Sequence, residues 1–376
     1  TASVMNPSSN QPATTAPVQG SGEADDTRRC AGAWFSPRSV FIAALLLALG
    51  YALATDRVWE DYYITWKSSK NLAEGNGLVF HPGERVHTFT SPLGVMLPAL
   101  CHVLTFKHSD IAALWLFRVL SGACFAGAVT LLLMLARRLK YHPAAGALLA
   151  LWLMTDAKSV DFSVNGMETG ILLLFVAYSL WAFLGSPDRQ WLHLGLSWGG
   201  LMWSRPDGFI YIAALCAGVL LFHGGTGKAG RVELMKLFLR AGLVCTVVYL
   251  PWFAGAWAYY GSPVPHTVVA KGNAVGDRSL WEAVLTWLSL PWSAFKGLGS
   301  LDGLFMPSGH FFGGWPEPLL RLTRFLAGMA AVVWLLPKVS RETRVVAFAL
   351  SILLAYLCYF PGTGVAGWYL PGPAWM

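Results

Sequence analysis

The sequence predicts an all-α polytopic membrane protein. Hydrophobic residues make up 55% of the 376 positions, charged residues only 12%, and mean hydropathy is +0.50. A soluble domain carries about a quarter charged residues, so this composition calls for lipid as part of the solvent. The 18 Trp and 12 Tyr agree, because amphipathic rings favour the headgroup level.

Ten apolar runs are long enough to consider as helices: 39–55, 91–106, 111–136, 143–156, 168–185, 190–203, 208–223, 236–257, 318–337 and 345–361. A straight span needs about 20 residues, so the shorter runs must tilt or borrow polar residues at their ends. The run 91–106 decides the parity of everything after it. Pro92 and Pro98 make it a poor straight span. If it does not cross, the loops 137–142, 186–190, 224–240 and 338–344 share one side and together hold eleven Lys or Arg in 35 positions. Short loops rich in Lys and Arg stay cytoplasmic, so the expectation is about nine spans with the N-terminus inside.

The net charge of +7 is explained by those loops. No basic stripe interleaved with aromatics suggests a nucleic-acid partner. The six cysteines form no CxxC pair, and buried thiols are expected rather than metal ligands. Residues 1–38 are expected to be a disordered cytoplasmic tail, being rich in Ser, Thr, Pro, Ala and Gly up to residue 30. Residues 39–376 would form one transmembrane unit with outer loops 56–110 and 258–317. The stretch 362–376 ends abruptly in GPAWM, as a cut chain would.

Under this topology the outer segments all carry charge against an apolar run. A charge near the bilayer centre costs at least about 2.5 kcal/mol, so such residues mark a site or a buried pair. In the first outer loop Glu60 and Asp61 follow the first span, and Lys67 and Lys70 lie one helical turn apart. A carboxylate can take a proton from an incoming hydroxyl, and cations can hold a phosphate. The same residues also suit a solvated helix whose acids and lysines pair with each other or with headgroups. The EGNGL and HPGER stretches are turn chemistry and match no nucleotide motif.

The second segment, DFSVNGMETG, places Glu168 where a helix N-terminus would welcome a carboxylate. The third, WSRPDGF, flanks Pro206 with Arg205 and Asp207, which can pair together or reach an anionic ligand. The fourth, YYGSPVPHTVVAKG, leaves His266 and Lys271 to face a site.

In this order the four segments resemble the C-superfamily of glycosyltransferases, which use polyprenyl-phosphate sugars outside the cytoplasmic membrane. The branch most similar adds terminal arabinofuranose to cell-wall arabinan. Its pattern is an acidic pair with an aromatic–Ile run, then NLAxGxGxVFNxGERVxxYTNPL, GMET, RPDG and YYGxPxPNTxxAK. The matching stretches here are Glu60–Ile64, Asn71–Pro92, Gly166–Thr169, Arg205–Gly208 and Tyr259–Lys271, between about residues 56 and 271. Each motif alone is weak, and their conjunction is specific.

The resemblance implies a C-superfamily helix bundle whose extended first outer loop contains juxtamembrane helices. It implies an inverting transfer of a sugar, arabinofuranose first, from a polyprenyl phosphate to a glycan or protein hydroxyl. Asp61 would be the catalytic acid–base residue, with Glu60 second. Lys67, Lys70 and Arg205 would contact the donor phosphate, and Glu168, Asp207, His266 and Lys271 the substrates. His266 stands where the pattern has Asn, and Phe89-Thr90-Ser91 replaces Tyr-Thr-Asn. The later GWYLP resembles an Arg-Tyr-x-x-Pro element, but Trp368 replaces the Arg and its role is not carried over. No cofactor is required, although a divalent cation beside Glu60 and Asp61 is compatible with two adjacent acids. The implied place is the bacterial cytoplasmic (inner) membrane, with the site facing the periplasm or cell exterior. The competing class, a transporter or lipid flippase, should show internal repeats or paired broken helices, and no convincing repeat is visible.

Overall fold

A computed structural model of the chain describes residues 36–222, 228–275, 304–306, 316–359 and 369–376, with isolated positions between 279 and 292. The described residues are helical, with no strand. In chain order the helices are α1 (Pro37–Thr55), α2 (Glu60–Glu74), α3 (Pro92–Leu104), α4 (Asp110–Arg138), α5 (Pro143–Thr155), α6 (Ala157–Val164), α7 (Thr169–Leu184), α8 (Gln190–Ser204), α9 (Gly208–Phe222), α10 (Lys228–Tyr260), α11 (His266–Val275), α12 (Glu317–Val332), α13 (Arg341–Tyr359) and the short α14 (Pro371–Ala374). The expected tail lies outside the described residues up to position 35, and Ser36 already caps α1 by accepting from Ser39 N at 3.1 Å.

Helix length among the described residues does not confirm the expected nine spans. Among the described residues four helices are long and apolar enough to cross a bilayer, or five if α6 and α7, bent by 118° at their junction, count as one broken span. The reason is that several apolar runs fold as short helices. At 1.5 Å per residue, the 13-residue α5 reaches roughly 20 Å and the 15-residue α9 roughly 23 Å, against a hydrocarbon core of about 30 Å. The run 91–106 becomes the 13-residue α3, capped by Ser91 onto Gly94 N at 2.8 Å and containing Pro98, and it packs on α2 and α4.

Small residues set the helix packing. Ala44, Ala48 and Ala52 form one fully buried face of α1, which lies along α4. Gly195 and Gly199, four apart on α8, meet Val244 and Val248 of α10, and a Cβ added at Gly195 would stand 2.4 Å from Val244 Cβ. Close backbone approach of this small-xxx-small kind is how apolar helices gain contact where lipid removes the hydrophobic drive.

Chain alternation gathers the connections at two ends. At one end Arg138 donates to Ser186 O at 3.1 Å, Tyr141 meets Thr343 at 3.4 Å, and Arg344 donates to Pro337 O at 2.9 Å. This is the end rich in Lys and Arg. The other end gathers α2, the α6–α7 junction, the α8–α9 turn and the start of α11.

Candidate active site

The segment between α1 and α2 is stitched to the α6–α7 junction. Trp59 N donates to Asn165 O at 3.0 Å, and Trp59 Nε1 donates to Asp161 Oδ2 at 3.1 Å. The Trp59 ring stacks on Phe162 at 4.7 Å. Gly166 turns with φ +100°, and a Cβ there would lie 2.7 Å from Tyr62 Cβ, so only glycine lets the NGMET turn close on α2. Asp61 is thereby held half-buried in the first turn of α2, next to the Tyr62 that packs on the Gly166 turn, while Glu60 is exposed.

Glu168 ends the junction and is 8% exposed. Its Oε1 accepts from Arg205 Nη1 at 3.4 Å, and its Oε2 faces Gly94, where a Cβ would come within 3.4 Å. Arg205 is buried in the turn after α8 and donates from Nε to Asp207 Oδ1 at 2.9 Å. Its guanidinium also lies 4.3 Å from the centre of the Tyr369 ring. Segments two and three, together with the Tyr of GWYLP, thus share one buried cluster; Trp368 lies outside the described residues. The cluster and Asp61 combine three carboxylates with one guanidinium. Carboxyl groups placed this way can accept hydrogen bonds from hydroxyls. Among the described residues, no group of three His, Cys, Asp or Glu side chains is placed to hold a metal ion.

The two lysines of α2 face elsewhere. Nine residues of helix place Lys70 about 180° from Asp61, at 100° per residue. Lys70 binds Asp110 of α4 at 2.9 Å, which raises its pKa above the ordinary lysine range through that hydrogen bond. Lys67 is exposed, with its ammonium 4.3 Å from the centre of the Phe80 ring. His266 pairs reciprocally with His87: His87 N donates to His266 Nδ1 at 3.1 Å, and His266 N to His87 O at 3.0 Å. Lys271 belongs to α11, but its side chain lies outside the described residues.

Beside the cluster opens a cleft of about 170 Å³. It is lined by His87, Thr90 and Pro92 on one side, Met202 and Pro206 on the second, and Tyr249, Trp252, Phe253 and Pro263–Pro265 on the third. Its walls are apolar and aromatic. Thr90 and Pro206 each adjoin a residue of the cluster region, Ser91 and Arg205.

Four groups escaped sequence reasoning. His87, which no motif singled out, is 1% exposed and stacks on Tyr260 at 4.5 Å. Burial, with His266 beside it, pushes its imidazole down to about 4. Lys158 is buried in α6 and donates to Leu304 O at 2.7 Å and Met306 O at 3.3 Å. Asp161 receives the Trp59 indole described above. Arg118, inside α4, is buried. The available signal was charge within apolar sequence, which Arg118 and Lys158 both show.

The chain is 28% identical over 291 residues to a terminal β-(1→2)-arabinofuranosyltransferase of Corynebacterium glutamicum. It is 30% identical over 270 residues to the protein of the same name from Mycobacterium tuberculosis. The two alignments take in 70% and 67% of this chain, and the chain spans about 40% of the length of each relative. No family model matches the sequence, and no solved structure matches the chain.

Proposed function

We infer, from a chain related to the terminal β-(1→2)-arabinofuranosyltransferases and so to the C-superfamily of glycosyltransferases, that this protein moves arabinofuranose from a polyprenyl phosphate to a glycan hydroxyl. The observation that carries the reading is the buried cluster of Glu168, Arg205 and Asp207, with the first turn of α2 that bears Asp61 packed through Tyr62 against Gly166, at the end of the bundle opposite the basic loops. By the Lys and Arg rule that end faces the periplasm or cell exterior of a bacterial inner membrane.

In this mechanism Asp61 takes the proton of the acceptor hydroxyl. The acceptor oxygen bonds to the anomeric carbon from the face opposite the leaving group. The carbon–oxygen bond to phosphate breaks, the electron pair leaves with the polyprenyl phosphate, and configuration inverts. A single base is enough for one displacement. A carboxylate beside the sugar ring stabilises positive charge on it as it develops. Glu168 and Asp207 fix Arg205, which uses two of its five N–H groups on them in the contacts described and directs the rest toward phosphate. Lys67, exposed and lying over the Phe80 ring, is a weaker candidate for phosphate than Arg205. Lys70, already engaged by Asp110, is the least suited of the three cations. His266 and Lys271 are assigned to substrate, and Glu60 to the outer rim. The apolar cleft beside Arg205 fits the first isoprene units of the donor.

The transporter reading is less favoured. It asks for paired broken helices, and among the described residues α6–α7 is a single bent pair, with a carboxylate of the cluster at its junction.

The test is transfer from synthetic farnesyl-phosphoryl arabinofuranose to an arabinan oligosaccharide by the purified protein. Asp61→Asn should remove turnover while leaving thermal stability unchanged, and Glu60→Gln should retain it. Turnover near wild type in Asp61→Asn would overturn the assignment. Transport of the intact lipid without release of farnesyl phosphate would favour the competing class.

A further inference from the structure

Arg118 lies eight residues into α4, about 12 Å from the start of that helix, and is 1% exposed. A buried charge at such depth is costly to keep, so its partners matter. Its guanidinium lies 4.6 Å from the centre of the Trp115 ring. The hydrogen bonds it makes go to main-chain carbonyls of two segments that are far apart in sequence. Nε donates to Val164 O at 3.1 Å, and Nη2 donates to Arg57 O at 2.7 Å. Arg57 precedes Asp61 by four residues, and Val164 precedes Glu168 by four.

The same guanidinium therefore grips the backbone four residues ahead of each of the two carboxylates, Asp61 and Glu168. Both carbonyls belong to chain that has just left, or is about to leave, a helix: Arg57 lies between α1 and α2, and Val164 closes α6. Such carbonyls lack intrahelical partners and need donors. The planar fork of arginine can serve two acceptors at a fixed separation, which an ammonium cannot do in the same way.

We propose that Arg118 is a positioning residue: it sets the spacing of Asp61 and Glu168 by clamping Arg57 O and Val164 O from within α4. The proposal rests on the reading of those two carboxylates as parts of the reacting site. Arg118 touches neither substrate nor the carboxylates, and acts through the two backbone segments. Neighbouring contacts support the clamp without replacing it: Trp59 N on Asn165 O lies just beyond the gripped carbonyls on both strands of the junction.

The experiment compares wild type with Arg118→Lys, which keeps the charge but loses the fork, and Arg118→Met, which loses both. Turnover on farnesyl-phosphoryl arabinofuranose is measured together with hydrogen exchange of the intact protein in nanodiscs. In Arg118→Lys, kcat should fall by about tenfold to a hundredfold, the cost of a misplacement near 1 Å, while KM stays within about twofold. Exchange should rise in the peptides covering 57–61 and 164–168 together, and not elsewhere in the bundle. An unchanged kcat in Arg118→Lys overturns the proposal. So does exchange that rises uniformly through the bundle, because that marks general destabilisation. If Arg118→Met fails to fold, the lysine variant decides alone. A wild type silent on the lipid-linked sugar sinks the functional reading instead. The exchange then judges the clamp: a joint rise at both segments supports it, and a rise at one or neither overturns it.

Discussion

Arg205 donates from Nε to Oδ1 of Asp207 at 2.9 Å, across a turn that only Pro206 separates. The guanidinium reaches a second carboxylate, Glu168, from a segment thirty-seven residues earlier in the chain. Removing the cation alone leaves two carboxylates with little exposure and no counter-charge.

Arg205→Met should therefore destabilise the protein by about 3–5 kcal/mol, the cost of breaking a buried pair from one side. Arg205→Lys should fold, because the charge remains, but should lose at least about tenfold in turnover, because an ammonium is not a fork. Thermal unfolding in detergent, set beside the transferase assay, separates the two effects. A lysine variant with full activity would remove Arg205 from the phosphate site.

Lys70 and Asp110 form their pair at the surface, with side chains 39% and 48% exposed. Such pairs contribute under about 1 kcal/mol. Lys70→Ala should leave kcat within about threefold of wild type and barely move the melting temperature. A collapse of kcat at unchanged stability would return Lys70 to the phosphate site that its position in the sequence suggests.

His87 supplies a pH dependence whose sign follows from its environment. Burial lowers its imidazole from the ordinary 6.5 to about 4, so the folded protein binds this proton more weakly than the unfolded chain. Its contribution to stability is present above about pH 6.5 and is lost as pH falls toward 4. Hydrogen exchange in residues 77–91 and 260–266 should rise over that window in wild type. In His87→Phe, which keeps the stack on Tyr260 without a titrating group, the rise should disappear.

Gly166 is the residue whose backbone carries the NGMET turn. With φ +100° and a Cβ that would meet Tyr62 at 2.7 Å, Gly166→Ala should destabilise by about 1–3 kcal/mol and lower turnover together with stability. A melting curve unchanged by the substitution would show that the turn can move away from α2.

Much of this molecule was legible in one dimension. Apolar runs located the helices, because a stretch that must meet lipid or core is apolar wherever it sits in the fold. The weakness of 91–106 as a span was legible from Pro92 and Pro98, since proline removes a helical hydrogen bond wherever it stands. Glu168, Arg205 and Asp207, which meet in one buried cluster, were legible as candidates because charge against an apolar run is costly and therefore informative. What the sequence could not assign was the partner of each charge. Helical register turned Lys70 away from Asp61 and onto Asp110, and close packing on Tyr260 buried His87, which lies in a loop and which no motif singles out. Arg118 lies between two recognisable motifs and belongs to neither. Its role exists only where the carbonyls of Arg57 and Val164 come within reach of one guanidinium. Local composition determines which residues are costly to bury; only the tertiary packing of distant segments decides what offsets that cost.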